Sequence, residues 1–262
     1  MQVGSARLLV GCSGWSYDDW AGRFYPEGLA PADRLSWYAT WFDAVEVNAT
    51  HYRTPTESAV CGWRDSVGPD FHFAIKLHRF GTHRKKLADS DGWVPRSLDP
   101  IAPLGPRAGT VLLQLPPRWK PRLDRLDETL TRIGRRHHVA VEVRDERWLG
   151  DDLDQLLSSH GAARVRHDLL TVDPPTPDDA PFEYFRFHGP DREHPYHGSY
   201  DDQHLVAVAR RAAGALTRGV DIEAYFNNDW DAAAPYDATR FRALVIEALG
   251  LTATTTQRSD TP

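Results

Sequence analysis

Cysteine is nearly absent from the chain: Cys12 and Cys61 are its only two in 262 residues. They lie far apart, without metal-ligand spacing, so neither a disulfide framework nor a zinc knuckle has support, and both are expected as reduced thiols. No apolar run approaches the roughly 18 residues of a membrane span, and no basic segment followed by an apolar stretch and a small-residue cleavage site opens the sequence. A cytoplasmic protein without membrane contact is therefore expected. Positive charge is not in excess either, since 31 Lys and Arg face 37 Asp and Glu for a net charge of −6. This balance argues against a surface given over to nucleic acid and leaves room for a local basic groove. Missing too are an internal repeat, an H-E-x-x-H helix and a G-x-G-x-x-G after the first strand. Gly11-Cys12-Ser13-Gly14-Trp15 leads into an aromatic loop instead, which counts against a dinucleotide-binding doubly wound sheet.

What is present is core. Hydrophobic residues make up 41% of the chain, with nine Trp, and the length suits one α/β barrel. Short β-branched, apolar or aromatic runs recur at 8–11, 44–48, 71–77, 110–115, 139–143, 162–166, 184–188 and 221–226. Helical spacing separates several of them: Leu35, Tyr38, Ala39 and Phe42; Leu123, Leu126, Leu130 and Ile133; Leu205, Val208, Ala209 and Ala212; Phe241, Leu244, Val245 and Ala248. Strands alternating with single helices imply right-handed crossovers and a parallel sheet. The expected fold is α/β, a single (β/α)8 TIM-like barrel over residues 1–250, with a flexible tail over 251–262. Asp173 to Pro181 and Gly189 to Asp202 read as loops able to cover a pocket.

In such a barrel the acting side chains stand at the C-terminal ends of strands. Those positions hold Glu46 and Asn48, Lys76 and His83, Gln114, Glu142 and Arg144, Asp168, Arg186 and His188, and then Asn227, Asn228 and Asp229. In Val141-Glu142-Val143-Arg144 and Phe185-Arg186-Phe187-His188 the polar residues share one face of the strand. A buried charge is costly unless paired, so inward-facing Glu46, Glu142, Arg144 and Arg186 should neutralise one another or await a ligand. One such pair would suggest only an internal brace; repetition across strands favours a ligand site. Glu46, Lys76, Glu142, Arg144, Arg186, His188 and Asn228 are expected to line one cavity.

Together with Trp20, Phe24-Tyr25-Pro26, Tyr52-Arg53, Gln114-Leu115-Pro116-Pro117 and Trp148, these motifs resemble in content and order the YecE-like proteins, a domain of unknown function. The resemblance runs over almost the whole chain and departs at His51, where an aromatic residue is commoner in the family. It implies a barrel related in shape to sugar isomerases and apurinic endonucleases, and no particular reaction.

Two functions compete. The first is an enzyme acting on a small phosphorylated or carbohydrate-like substrate. Glu46, Glu142, Asp168 and His188 are its catalytic candidates; Trp15, Tyr17, Asn48, Tyr52, Arg53, Lys76, His83, Gln114, Arg144, Trp148, Arg186, Asn227, Asn228 and Asp229 would bind substrate. Guanidinium forks suit phosphate or carboxylate, and nearby cations keep carboxylates ionised as bases. No motif identifies a cofactor. A divalent metal on Glu46, Glu142, Asp168, His188 and Asp229 is chemically reasonable, but the basic residues at the same rim repel it. The second function is nucleic-acid binding, through the basic run from Lys76 to Lys86 and stacking on Trp15, Tyr17, Trp20, Tyr25 and Tyr52. It ranks behind the first because a basic run in a loop is ordinarily a solvated face.

Overall fold

The computed structural model describes residues 1–172, 175, 177 and 180–251. The tail from Thr252 to Pro262 and most of the proline-rich segment 173–179 lie outside the described residues. Among the described residues nine strands form one sheet: β1 (Gln2–Val3), β2 (Ala6–Cys12), β3 (Ala44–Val47), β4 (His72–Lys76), β5 (Ala108–Gln114), β6 (Val139–Glu142), β7 (Ala163–His167), β8 (Phe182–Phe187) and β9 (Asp221–Phe226). The α-helices are α1 (Arg34–Tyr38), α2 (Ala49–Tyr52), α3 (Glu57–Asp65), α4 (Ser90–Leu98), α5 (Leu123–Ile133), α6 (Asp151–His160), α7 (Asp202–Thr217) and α8 (Ala233–Ala248). All eight expected strands are present. The short β1, too small for periodicity to reveal, adds antiparallel to β2.

The order is β1-β2-β9-β8-β7-β6-β5-β4-β3, with every neighbour from β2 onward parallel. The sheet curls strongly. The Thr110 hydroxyl on β5 donates to Glu223 on β9 at 2.5 Å, and Arg186 on β8 reaches Glu46 on β3, strands that a flat sheet would hold far apart. The expectation of a closed eightfold barrel is corrected in one respect: no ladder joins β2 to β3. Instead the Tyr38 hydroxyl accepts from the Cys12 N–H at 2.7 Å and donates to the Ala44 carbonyl at 2.9 Å, a side chain doing the work of a strand pair. Gly11 permits this approach, since a Cβ there would meet the Ala44 oxygen at 2.0 Å.

The two faces of the strands are filled differently. Outward residues such as Val45, Val47, Phe73, Ile75, Phe185, Phe187, Ile222 and Phe226 pack into one buried cluster that includes Leu205, Ala209, Phe241 and Val245 of α7 and α8. Val111, Leu113, Val139 and Val141 pack with Leu126, Leu130, Leu153 and Leu157 of α5 and α6. The inner face carries a layer of Leu9, Ala44, Ala74, Leu112, Ala140, Ala163, Tyr184 and Tyr225. Alanines recur there because two tyrosines and Phe182 already occupy the space inside the curl. Among the described residues no helix is long and apolar enough to cross a membrane.

If the seam depends on Tyr38, Tyr38→Phe leaves a buried amide and a buried carbonyl unpaired and should cost about 1–3 kcal/mol of stability. Urea unfolding measures this, and an unchanged midpoint would show that the seam holds without the hydroxyl.

Candidate functional site

Two residues beyond the alanine layer, on the same face of each strand, the inner residues become polar. Ala44 is followed by Glu46 and Asn48, Ala74 by Lys76, Leu112 by Gln114, Ala140 by Glu142 and Arg144, and Tyr184 by Arg186 and His188. The polar layer is therefore a consequence of period-two alternation in parallel strands held in register. Gln114 on β5 stands opposite Glu142 on β6, and His167 on β7 opposite Arg186 on β8.

Arg186 is the centre of this layer and is fully buried. Its Nε and Nη2 donate to the two Glu46 oxygens at 2.8 and 2.7 Å, and its Nη1 donates to Glu142 Oε2 at 2.5 Å. Ser13 and Tyr184 hydroxyls each donate to Glu46 at 2.8 Å. The Arg144 Nε donates to the other Glu142 oxygen. Burial alone would raise both carboxyls; Arg186 beside Glu46, and Arg144 and Arg186 beside Glu142, reverse this and hold both below the usual carboxylate range. Two carboxylates and two guanidiniums thus cancel.

His188 extends the network. Its Nε2 lies 3.0 Å from both Arg144 Nη2 and Arg186 Nη1, which can only donate, so this nitrogen accepts and Nδ1 carries the proton toward Asp168 at 3.1 Å. Burial, Arg186 and Arg144 push the ring down to about 4. Asp168 also accepts from the His188 backbone N–H at 2.9 Å and from the Tyr200 hydroxyl, which in turn accepts from the Gly189 N–H at 2.6 Å. The His188 bond and Tyr200 keep the Asp168 carboxyl low despite burial.

Lys76 behaves differently. Although only 7% exposed, its amine has no hydrogen bond or ion pair among the described residues. Burial and then Arg186 lower it to about 7, against the smaller upward pull of Glu46 and Glu142. On the flanking strands two buried amide oxygens, Asn48 Oδ1 and Gln114 Oε1, also lack partners. The Asn48 amide nitrogen is committed, donating to the Ser13 carbonyl at 3.0 Å and to Asn227 Oδ1 at 3.2 Å, so its oxygen is the free end. His83 is lowered to about 4 by burial and Lys76, and Asp229 is raised to about 6 by burial.

Other residues expected here have different surroundings. Asn228 donates to Asp237 Oδ2 and the Gly198 carbonyl, both at 2.8 Å, and anchors the loop before α7. Trp148 packs on Trp119 and donates its indole N–H to the Trp119 carbonyl at 2.8 Å. Trp15 sits edge-on to Trp63, and Tyr17 donates to the Ser13 carbonyl at 2.6 Å. Tyr52 and Arg53 are exposed. His51 is buried, with Nδ1 2.8 Å from the Leu77 carbonyl. Cys12 is buried, and burial pushes its thiol up. Ser13, Tyr184 and Tyr200 were not among the expected site residues. Tyr184 carried a signal, standing two residues before Arg186, whereas Tyr200 comes from a loop without one.

At the strand C-termini Glu46, Glu142, Arg144 and Arg186 bond to one another, with Lys76 beside them. A cavity of about 360 Å³ opens on the outer side, between β7, β8 and α7, lined by Arg166, Arg192, Arg211, Phe185, Phe187 and Val208 among others. It shares Asp168 and Arg186 with the network, and His167 also lines it. Of the carboxylates weighed as metal ligands, Glu46 and Glu142 are bonded to arginine and Asp168 to His188, and no group of three or more His, Cys, Asp or Glu able to hold a metal occurs among the described residues.

Comparison with known proteins places this geometry among relatives. The family model described as "Protein of unknown function DUF72" matches residues 9–260. The UPF0759 protein YecE of Escherichia coli K12 is 30% identical over 171 residues, 63% of this chain and 60% of its own length, so the matched part spans less than two thirds of that relative. The crystal structure of a DUF72 family protein from Thermotoga maritima superposes with a TM-score of 0.76 at 26% identity, covering 91% of this chain and 99% of the other. A xylose isomerase-like TIM barrel protein from Mycobacterium smegmatis, solved with magnesium, gives 0.50 at 14% identity over 83% of this chain and 89% of its own, a likeness of fold.

Two outcomes follow from the charge network. Arg186→Met strands two buried carboxylates and should cost about 3–5 kcal/mol, part of which Glu46→Gln in the same chain should restore; full stability of the single variant would contradict the network. For His188, the folded ring titrates at about 4 against an ordinary 6.5. Unfolding therefore takes up a proton between these values, and the stability tied to neutral His188 is present above 6.5 and lost as pH falls toward 4. Urea titrations across that range should fall less steeply for His188→Asn than for the parent, and equal slopes would show that His188 is not held neutral.

Proposed function

Since the chain belongs to the DUF72 family, whose description names no activity, we propose from its site alone that it is an enzyme acting on a small phosphorylated or carbohydrate-like molecule where the strand C-termini converge. One observation carries this reading: beside a charge network that is already neutral, the Lys76 amine and the Asn48 and Gln114 oxygens are left without partners. The two oxygens are buried and cost free energy while unsatisfied, and a ligand bearing hydroxyls and an anionic group supplies partners for them and for the amine. Lys76, Arg144 and His83 form the anion side; Asn48 and Gln114 accept hydroxyls. Glu46 and Glu142 are locked to Arg186 and act as fixed charges rather than as proton carriers. The reading treats the curled sheet as a closed (β/α)8 barrel in function, which the Tyr38 bridge across the seam supports.

A second reading, nucleic-acid binding, has an observation of its own. Tyr52 is 59% exposed with the Arg79 guanidinium 5.6 Å from its ring, and Arg84 and Lys85 both flank the Phe80 ring at 5.8 Å. Such cation-backed aromatics on a basic loop suit single-stranded DNA or RNA.

Calorimetric titration with inorganic phosphate and with glyceraldehyde 3-phosphate separates the two readings. Binding by the parent, weakened by about 1.5–3 kcal/mol in Lys76→Ala and in Arg144→Ala, is expected. Absence of anion binding together with a salt-dependent shift of single-stranded DNA would replace the first reading with the second.

A further inference from the structure

We propose that the Lys76 ε-amine is the nucleophile of this site and forms an imine with the carbonyl carbon of an aldehyde or ketone substrate. The proposal rests on the reading of this site as one for small molecules and names its substrate class: carbonyl compounds carrying hydroxyl and anionic groups.

The first support is compositional. Lysine and arginine together number 31, of which four are lysine: Lys76, Lys85, Lys86 and Lys120. Lys86 and Lys120 are exposed and Lys85 pairs with Asp89 at the surface, so Lys76 is the buried one. This chain meets its structural needs for buried positive charge with arginine, at Arg186 and Arg34. An ammonium at Lys76 adds nothing that another guanidinium could not; what only lysine supplies is a nitrogen able to lose its proton and expose a lone pair.

The surroundings favour that neutral form. Facing Lys76 are Glu46 from β3, Glu142 and Arg144 from the end of β6, Arg186 from β8, and His51 and His83 from the segments after β3 and β4. Both carboxylates are already bonded to arginine, so neither remains to hold an ammonium in place. With burial and Arg186 lowering the amine to about 7, a large share of molecules carries the free base near neutrality, whereas a solvated lysine carries almost none.

The chemistry balances without a further reactant. The amine lone pair adds to the carbonyl carbon, forming the C–N bond as the π pair moves to oxygen, which takes up the proton released by nitrogen. The carbinolamine then expels its hydroxyl with the second nitrogen proton as water while the nitrogen pair closes the C=N bond. One water leaves per imine, and nothing is oxidised or reduced. Asn48 Oδ1, just past β3, and Gln114 Oε1, at the end of β5, follow the two strands that flank β4 and lack partners, which makes them the acceptors for the hydroxyls of such a substrate.

Reductive trapping tests the step. The full chain is incubated with glyceraldehyde 3-phosphate and sodium cyanoborohydride, and the adducts are mapped by peptide mass. The expected result is one secondary-amine adduct per chain, at Lys76, formed at least about tenfold faster than at Lys85, Lys86 or Lys120 near neutral pH. Its rate should rise through a midpoint near 7 rather than near 10, and Lys76→Arg should abolish it. Adducts at the surface lysines alone, or without preference, would overturn the proposal. Calorimetric binding of glyceraldehyde 3-phosphate with no Lys76 adduct would overturn the imine and leave the small-molecule site standing, while absence of both would overturn the two together.

Discussion

The fully buried Arg186 guanidinium, shared between Glu46 and Glu142, is the constraint on which the rest of the site depends. Three charges removed from water are tolerable only with near-ideal geometry and every remaining lone pair occupied. That requirement brings the inner faces of β3, β6 and β8 together and so needs a strongly curled sheet. It accounts for the Ser13 and Tyr184 hydroxyls on Glu46, and for Arg144 on the second Glu142 oxygen. It also accounts for the alanines one layer below, since bulkier residues there would compete with Tyr184 and Tyr225 for the space inside the curl.

A network that satisfies itself leaves its neighbours in unusual states. His188 accepts from two guanidiniums, is held neutral, and donates its Nδ1 N–H to Asp168, which Tyr200 braces from the loop beyond β8. Lys76 finds both nearby carboxylates engaged and loses the partner that normally keeps a buried ammonium charged. The polar layer thus divides into groups that hold one another and groups that do not, and the second set, Lys76 with the Asn48 and Gln114 oxygens, carries the functional reading.

Much of this was legible in the sequence because it depends on local periodicity. Each strand except β1 could be read from its apolar run, and the alternation in Val141-Glu142-Val143-Arg144 and Phe185-Arg186-Phe187-His188 identified which side chains share a face. The helices α1, α5, α7 and α8 were visible as apolar stripes, whereas α2, at four residues, and α4, interrupted by Pro95, offered none. The bridge across the seam was invisible, because Tyr38 reads as one more apolar member of a helical face until its hydroxyl is placed between Cys12 and Ala44.

The sequence by itself therefore determined the eight parallel strands, their inner and outer faces, and the polar character of the residues at their C-terminal ends. It also restricted buried mutual pairing to Glu46, Glu142, Arg144 and Arg186. Only the tertiary structure decided who pairs with whom. Glu46 and Arg186 are 140 residues apart in the chain, and their contact is set by sheet order, register and curl rather than by any local pattern. The same long-range geometry gave both carboxylates to arginine and left Lys76 with none, a difference in chemistry that no spacing along the chain encodes.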